Sequence, residues 1–140
     1  MKHFLVLPAA LTLATSGLAT PAGAAPRAAA RAKATPITIT VTNQRFIPDR
    51  VTMRQGAAYT LRIRNASDRK HNFSAPSFFK YARVAQRDSG WVTDNAVSLD
   101  PGQSATLHIV APTTPNARYD FRSTRISDAA EKVKGVIYVR

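Results

Sequence analysis

A chain of 140 residues carries 20 lysines and arginines against 8 acidic residues, for a formal charge of +12, and contains no cysteine. That length holds one small core and excludes two ordinary domains. The missing cysteine excludes disulfides and any thiolate metal ligand supplied by this chain.

Met1-Lys2-His3 makes a short basic start. An apolar run follows from Phe4 to Leu13, and small residues fill Ala14 to Ala25. Ala22-Gly23-Ala24 fits a small-x-small cleavage site, so residues 1–24 read as a signal peptide with Ala25 as the first mature residue. The run is too short for a good membrane span, and a retained N-terminal anchor is a lesser alternative. A buried N-terminal helix is the competing reading, opposed by Pro8 inside the run and Pro21 just beyond it. No cysteine follows the run, which argues against a lipid-anchored lipoprotein. The expected location is the periplasm or the exterior. Residues 25–35 read as a flexible linker, because their alanines carry no apolar stripe and Pro26, Arg27, Arg31 and Lys33 interrupt them. One folded domain is expected over residues 36–140.

Export normally permits disulfides, yet this domain must rely on core packing and sheet hydrogen bonds. Loss of Lys2 with the signal leaves 19 basic against 8 acidic side chains, a net of +11. Such a balance favours an anionic envelope component or an acidic protein as partner. Nucleic acid is a poor partner for a chain that leaves the cytoplasm. A merely solubilising basic surface is the plainer reading of the same charge.

Ile37, Ile39 and Val41 alternate with Thr38, Thr40 and Thr42, the pattern of a half-buried strand. Phe46-Ile47-Pro48 follows, then a short strand at Val51 and Met53 that stops at Gln55-Gly56. Tyr59, Leu61 and Ile63 form another period-2 series, with Arg62 and Arg64 turned to solvent, until Asn65-Ala66-Ser67-Asp68 interrupts it. Between Ala75 and Thr93 the pattern is less regular. Ser77 is a candidate cap for a short helix that turns Phe78, Tyr81 and Ala82 toward the core. The aromatics Phe78, Phe79 and Tyr81 have two readings here, as core filling or as a recognition patch beside basic residues. Exposure of Phe78 or Phe79 separates the two. Val97 and Leu99 then lead into the tight turn Asp100-Pro101-Gly102, and Ala105, Leu107 and Ile109 resume the alternation. Tyr119 and Phe121 open the next strand, and Ile137 and Val139 close the domain. Many short alternating strands with Pro/Gly turns predict an all-β sandwich of two sheets.

Several short motifs fall in a particular order: Phe46-Ile47-Pro48 with Val51 and Gly56, Asn65, His71-Asn72-Phe73, Leu99-Asp100-Pro101-Gly102, Tyr119-Asp120-Phe121 and Gly135-Val136-Ile137-Tyr138-Val139. Together they resemble the cupredoxin family, and more closely its periplasmic plastocyanin-like branch, across nearly all of residues 36–140. Each motif is weak, and their order carries the specificity. The resemblance implies a Greek-key β-sandwich of the cupredoxin type with a type 1 copper site. Such a site needs two imidazoles and a thiolate, usually with a weak axial thioether. By position, His71 matches the first histidine, and Ser123 stands where the family carries its cysteine. Asp128 falls at the second histidine position, with Arg125 as an alternative placement, and Val133 takes the methionine position. Three of four ligands have therefore changed. A serine hydroxyl cannot reproduce a soft thiolate, and Val133 offers no donor. Asp128 suits only a harder ion, and Lys132 and Lys134 repel a cation nearby. His71 and Asp128 are the residual metal candidates.

His71 is expected as a polar contact at a strand end or as an exposed member of a basic surface. His108, between the inward Leu107 and Ile109, should point outward. Many serines are present without a compelling Ser/His/Asp arrangement or a glycine-rich phosphate cradle. The expected function is a non-enzymatic, metal-free binding or scaffold protein without a cofactor. The alternative is a copper-binding or electron-transfer protein using His71 in a remodelled site. The candidate partner surface places Arg118, Arg122, Arg125, Lys132 and Lys134 around the former metal end, with Phe78, Phe79 and Tyr81 as an apolar centre if exposed.

Overall fold

The computed structural model describes residues 33–125 and 133–140. The signal peptide expected at 1–24, most of the linker, Asp128 and Lys132 lie outside the described residues. Among the described residues, period-2 alternation produces ten strands: β1 (Thr35–Val41), β2 (Phe46–Ile47), β3 (Arg50–Met53), β4 (Ala58–Asn65), β5 (His71–Ser74), β6 (Arg83–Val84), β7 (Ala96–Leu99), β8 (Ser104–Val110), β9 (Ala117–Arg122) and β10 (Lys134–Val139). A short helix, α1 (Pro76–Tyr81), and a 3-10 helix (Gln86–Trp91) fill the less regular interval after β5.

The strands form two five-stranded sheets, in the orders β2-β1-β4-β8-β6 and β3-β10-β9-β5-β7. In the first, β1 runs parallel to β4, with Ile37 opposite Leu61 and Ile39 opposite Ile63. In the second, β10 runs parallel to β3 and antiparallel to β9. Both sheets therefore join strands that are far apart in sequence, which no local turn signal announces. Each sheet turns one apolar face inward. Ile39, Leu61, Ile63 and Leu107 come from the first, and Phe73, Leu99, Phe121 and Ile137 from the second. Burying each such side chain stabilises the domain by roughly 1.5–3 kcal/mol before entropy is counted. The sequence's expectation of a two-sheet all-β fold holds.

An aromatic cluster ties the layers together. The Phe46 ring meets Phe121 edge-on at 5.0 Å and Phe73 at 5.9 Å, and Phe73 lies 4.8 Å from Phe121. Gly135 stands opposite Phe121 in the β9–β10 register. A Cβ there would meet the Phe121 ring at 2.3 Å and the Asp49 carbonyl at 2.6 Å, so the missing side chain makes room for the ring. The turn expected at Asp100-Pro101-Gly102 is present. The Gln103 N–H donates to the Asp100 carbonyl at 3.0 Å, and Gly102 takes a φ of 75° that its third position requires.

Helix α1 departs from its sequence reading. Pro76 opens it, the preceding residue is Ala75, and no side chain caps it, so Ser77 lies inside the first turn. Phe78 and Phe79 are both buried, whereas Tyr81 is 54% exposed. The helix places its two phenylalanines over different strands. Phe78 packs against Tyr119 of β9 at 5.9 Å, and Phe79 against Phe73 of β5 at 6.1 Å. That is why consecutive residues, rather than Phe78 and Tyr81, face inward. No helix among the described residues is long and apolar enough to cross a membrane.

Candidate functional site

Of the residues that the resemblance places at ligand positions, His71, Ser123 and Val133 are described, and they lie at one end of the second sheet. His71 opens β5 on its inward face and is completely buried, which fits the expected polar contact at a strand end and not the alternative of an exposed basic surface. Strand alternation turns His71 and Phe73 inward and leaves Asn72 on the outer side. The His71 Nε2 stands 3.5 Å from Asn43 Oδ1, and Asn43 Nδ2 donates to Asp68 Oδ1 at 2.9 Å. Asp68 is thereby held below the usual carboxylate range, chiefly by that Asn43 bond, helped by its own backbone N–H and by the charges of Arg69 and His71.

Ser123 follows β9 and is buried. Its backbone N–H donates to the Val133 carbonyl at 3.0 Å, and its Oγ donates to Asn72 Oδ1 at 3.2 Å. The Asn72 N–H reaches back to Ser123 Oγ at 3.5 Å. Asn72 also brackets the next residue, accepting from the Thr124 N–H and donating from Nδ2 to Thr124 Oγ1, both at 2.7 Å. Val133 contributes a buried alkyl side chain to the core cluster. His71, Ser123 and Val133 are thus brought to one end of the sandwich, joined through Asn72 and the β9–β10 backbone. Asp128 lies outside the described residues.

Asn65 braces this end from the neighbouring loop. Its buried Nδ2 donates to the carbonyls of Arg69, Leu99 and Asp100 at 2.7, 3.1 and 3.2 Å. Its Oδ1 accepts from the Ser67 N–H and hydroxyl. One side chain therefore locks the chain entering β5 to the end of β7.

These residues do not fit a type 1 copper ion. The chain has no sulfur to place at Ser123, whose hydroxyl is committed to Asn72, and Val133 has no donor atom. Among the described residues, no group of three His, Asp or Glu is placed to hold a metal.

Four basic residues lie on the outer face of the second sheet. Arg118, Asp120 and Arg122 all project from the outer face of β9, so Arg118 and Arg122 do share a side. They line a groove of about 400 Å³ together with Lys134 of β10, Arg50 at the start of β3 and Asp49 just before it. Arg118 pairs with Asp120 at 3.1 Å. Arg122 and Lys134 adjoin Ser123 and Val133 in the chain and face each other on the outer side of that same end, while Arg50 and Arg118 lie further along the strands. Arg125 is half-buried and does not line the groove, and Lys132 lies outside the described residues. Phe78 and Phe79, being core residues, cannot form an apolar centre for it, and of the three aromatics only Tyr81 is exposed. Arg50 was missed by sequence reasoning because only the parallel pairing of β3 with β10 brings it here.

On the other sheet, His108 faces outward as expected, though held in place. Its backbone N–H and Nδ1 meet Asp88 Oδ2 at 2.8 and 2.9 Å, fastening the 3-10 helix to β8. Burial pushes the Asp88 carboxyl up, but the two His108 hydrogen bonds and the charges of His108 and Arg87 outweigh it and hold the carboxyl below its ordinary value.

Comparison with known proteins agrees with this architecture. A family model described as a cupredoxin-like domain matches residues 5–139. No curated protein matches the chain. Among solved structures, reduced auracyanin from the photosynthetic bacterium Roseiflexus castenholzii is similar at 22% identity and a TM-score of 0.57, over 78% of this chain and 99% of that one. Auracyanin B is similar at 14% identity and a TM-score of 0.56, over 79% of this chain and 91% of that one. A copper-containing nitrite reductase from Thermus scotoductus SA-01 is similar at 10% identity and 0.57, over 81% of this chain and 32% of that one. At such identities the likeness is one of fold.

Proposed function

This chain belongs to the cupredoxin-like family, and from that premise we propose that it is a non-enzymatic, exported binding or scaffold protein that works without copper. Its partner is anionic and is engaged through the outer face of β3, β10 and β9. The observation that carries this reading is the gathering of Arg50, Arg118, Arg122 and Lys134 around one groove. Two carboxylates, Asp49 and Asp120, leave that cluster with an excess of positive charge. The hydrogen-bonded Ser123 and the alkyl Val133 support the metal-free part, since neither offers what copper requires. The signal-like residues 1–24 support a periplasmic or secreted location.

Capture from envelope extracts at rising salt tests the proposal. The purified exported protein should recover one acidic component at near-physiological ionic strength. An Arg50→Gln/Arg122→Gln variant should lose it, and an Arg62→Gln/Arg64→Gln variant, with the same charge removed from the opposite sheet, should keep it. Capture that disappears at slightly raised salt without partner preference would reduce the surface to nonspecific attraction.

A further inference from the structure

Lys134 and Arg122 stand directly opposite each other across the antiparallel β10–β9 pair, on the outer face. Like charges at such a position destabilise a sheet. Among the described residues neither makes an ion pair, although Asp49 and Asp120 line the same groove. On the other flank of Arg122, the register places Ser74 of β5 opposite it. One cross-strand row therefore sets an exposed ammonium, an exposed guanidinium and the largely buried Ser74 hydroxyl side by side, all donors and no acceptor charge.

That row lies within a longer depression. The groove of about 400 Å³ spans β3, β10 and β9, and a second of about 290 Å³ continues over β9 toward Ser74 and Ser77 at the start of α1. The two share Arg118, Asp120 and Arg122. From β3 to β5 there are three strand intervals, so the trough crosses about 14 Å of sheet. Arg50 lies at one end, and Lys134, Arg122 and Ser74 form the row beyond it.

We infer that Lys134, Arg122 and Ser74 form a phosphate-binding row, and that the trough takes an extended phosphodiester polymer. A tetrahedral oxyanion accepts hydrogen bonds from both cations and the hydroxyl at once, and it cancels the repulsion between the facing charges. A recessed trough a few strands wide admits a single chain better than the plane of a bilayer. The inference rests on the reading of this face as an anion-binding surface, and it names the chemistry of the occupant.

The test is a titration of the purified exported protein with a short synthetic poly(glycerol phosphate), followed by calorimetry. Inorganic phosphate, phosphatidylglycerol vesicles and polygalacturonate serve as parallel probes. The oligomer should bind more tightly than inorganic phosphate. Lys134→Gln and Arg122→Gln should each weaken it roughly tenfold, while Arg62→Gln on the opposite sheet should leave it nearly unchanged. In the absence of ligand, Lys134→Gln should raise the melting midpoint, because it removes the opposed charge. Equal losses for all three variants would overturn the row, as would a lower midpoint for Lys134→Gln. Tighter binding to the vesicles overturns the polymer. Equal binding of polygalacturonate overturns the phosphate assignment while leaving an anionic partner intact. Failure of every probe together with failure of envelope capture removes the broader reading as well.

Discussion

Along β9, Tyr119 and Phe121 turn inward and are buried, while Arg118, Asp120 and Arg122 turn outward and are exposed. Phe121 is held by rings from β2 and β5 and Tyr119 by a ring from α1, so the inward face is constrained by several elements at once. Outward residues answer to solvent, to their cross-strand neighbours and to whatever binds there. A family framework can therefore persist on one face of a strand while the other face changes its charge. Ser123 extends the contrast: it is buried at the end of β9, and its hydroxyl donates to Asn72.

The largest effect expected from this division is at Phe121. Replacing it by Ala should cost about 3–5 kcal/mol in urea unfolding. Arg122→Gln, one residue away, should change stability by no more than about 0.5 kcal/mol, and toward greater stability. Comparable destabilisation by both would erase the distinction between the faces. Gly135→Ala should cost about 1–3 kcal/mol, because the added methyl meets the Phe121 ring on one side and the fixed Asp49 carbonyl on the other.

Asn72→Ala probes the link between the two former ligand segments. It removes the side-chain bonds to Ser123 and Thr124 and should cost about 1–3 kcal/mol. Amide exchange should quicken at Thr124 and leave the β1–β4 pairing protected. An unchanged Thr124 exchange rate would show that the segment is held elsewhere.

Much of this division was legible in the chain itself. Period-2 runs such as Tyr59-Leu61-Ile63 place residues on a face without reference to any partner, and they came out buried. The order of short motifs from Phe46 to Val139 pointed to the family, and the missing cysteine to the altered ligand set. What escaped depends on long-range register. Arg50 reaches Lys134 only through the parallel β3–β10 pairing, and Asn43 reaches His71 only across a gap of 28 residues. Phe78 and Phe79 look alike in sequence to any exposed pair on a short helix. They are core residues because α1 lies over both β5 and β9.

The smallest loss of stability concerns the first sheet. Asp88→Asn should loosen the 3-10 helix from β8 and cost about 1 kcal/mol near neutral pH. Because the folded carboxyl titrates below its ordinary value, its contribution is present above the unfolded aspartate value of about 3.9 and fades as pH falls through the lower folded one. Wild-type and variant stabilities should therefore converge on acidification. A gap that persists at the acid limit would show that the carboxylate charge is not what fastens the helix.

Copper loading reaches the centre of the matter most directly. The purified protein is incubated with Cu(II) and, separately, with Cu(I), dialysed, and assayed for metal by elemental analysis alongside its visible spectrum. A cupredoxin-like domain with serine and valine at the former sulfur positions should retain well below one copper per chain and show no intense blue thiolate band. An equimolar ion that survives dialysis would contradict a metal-free function.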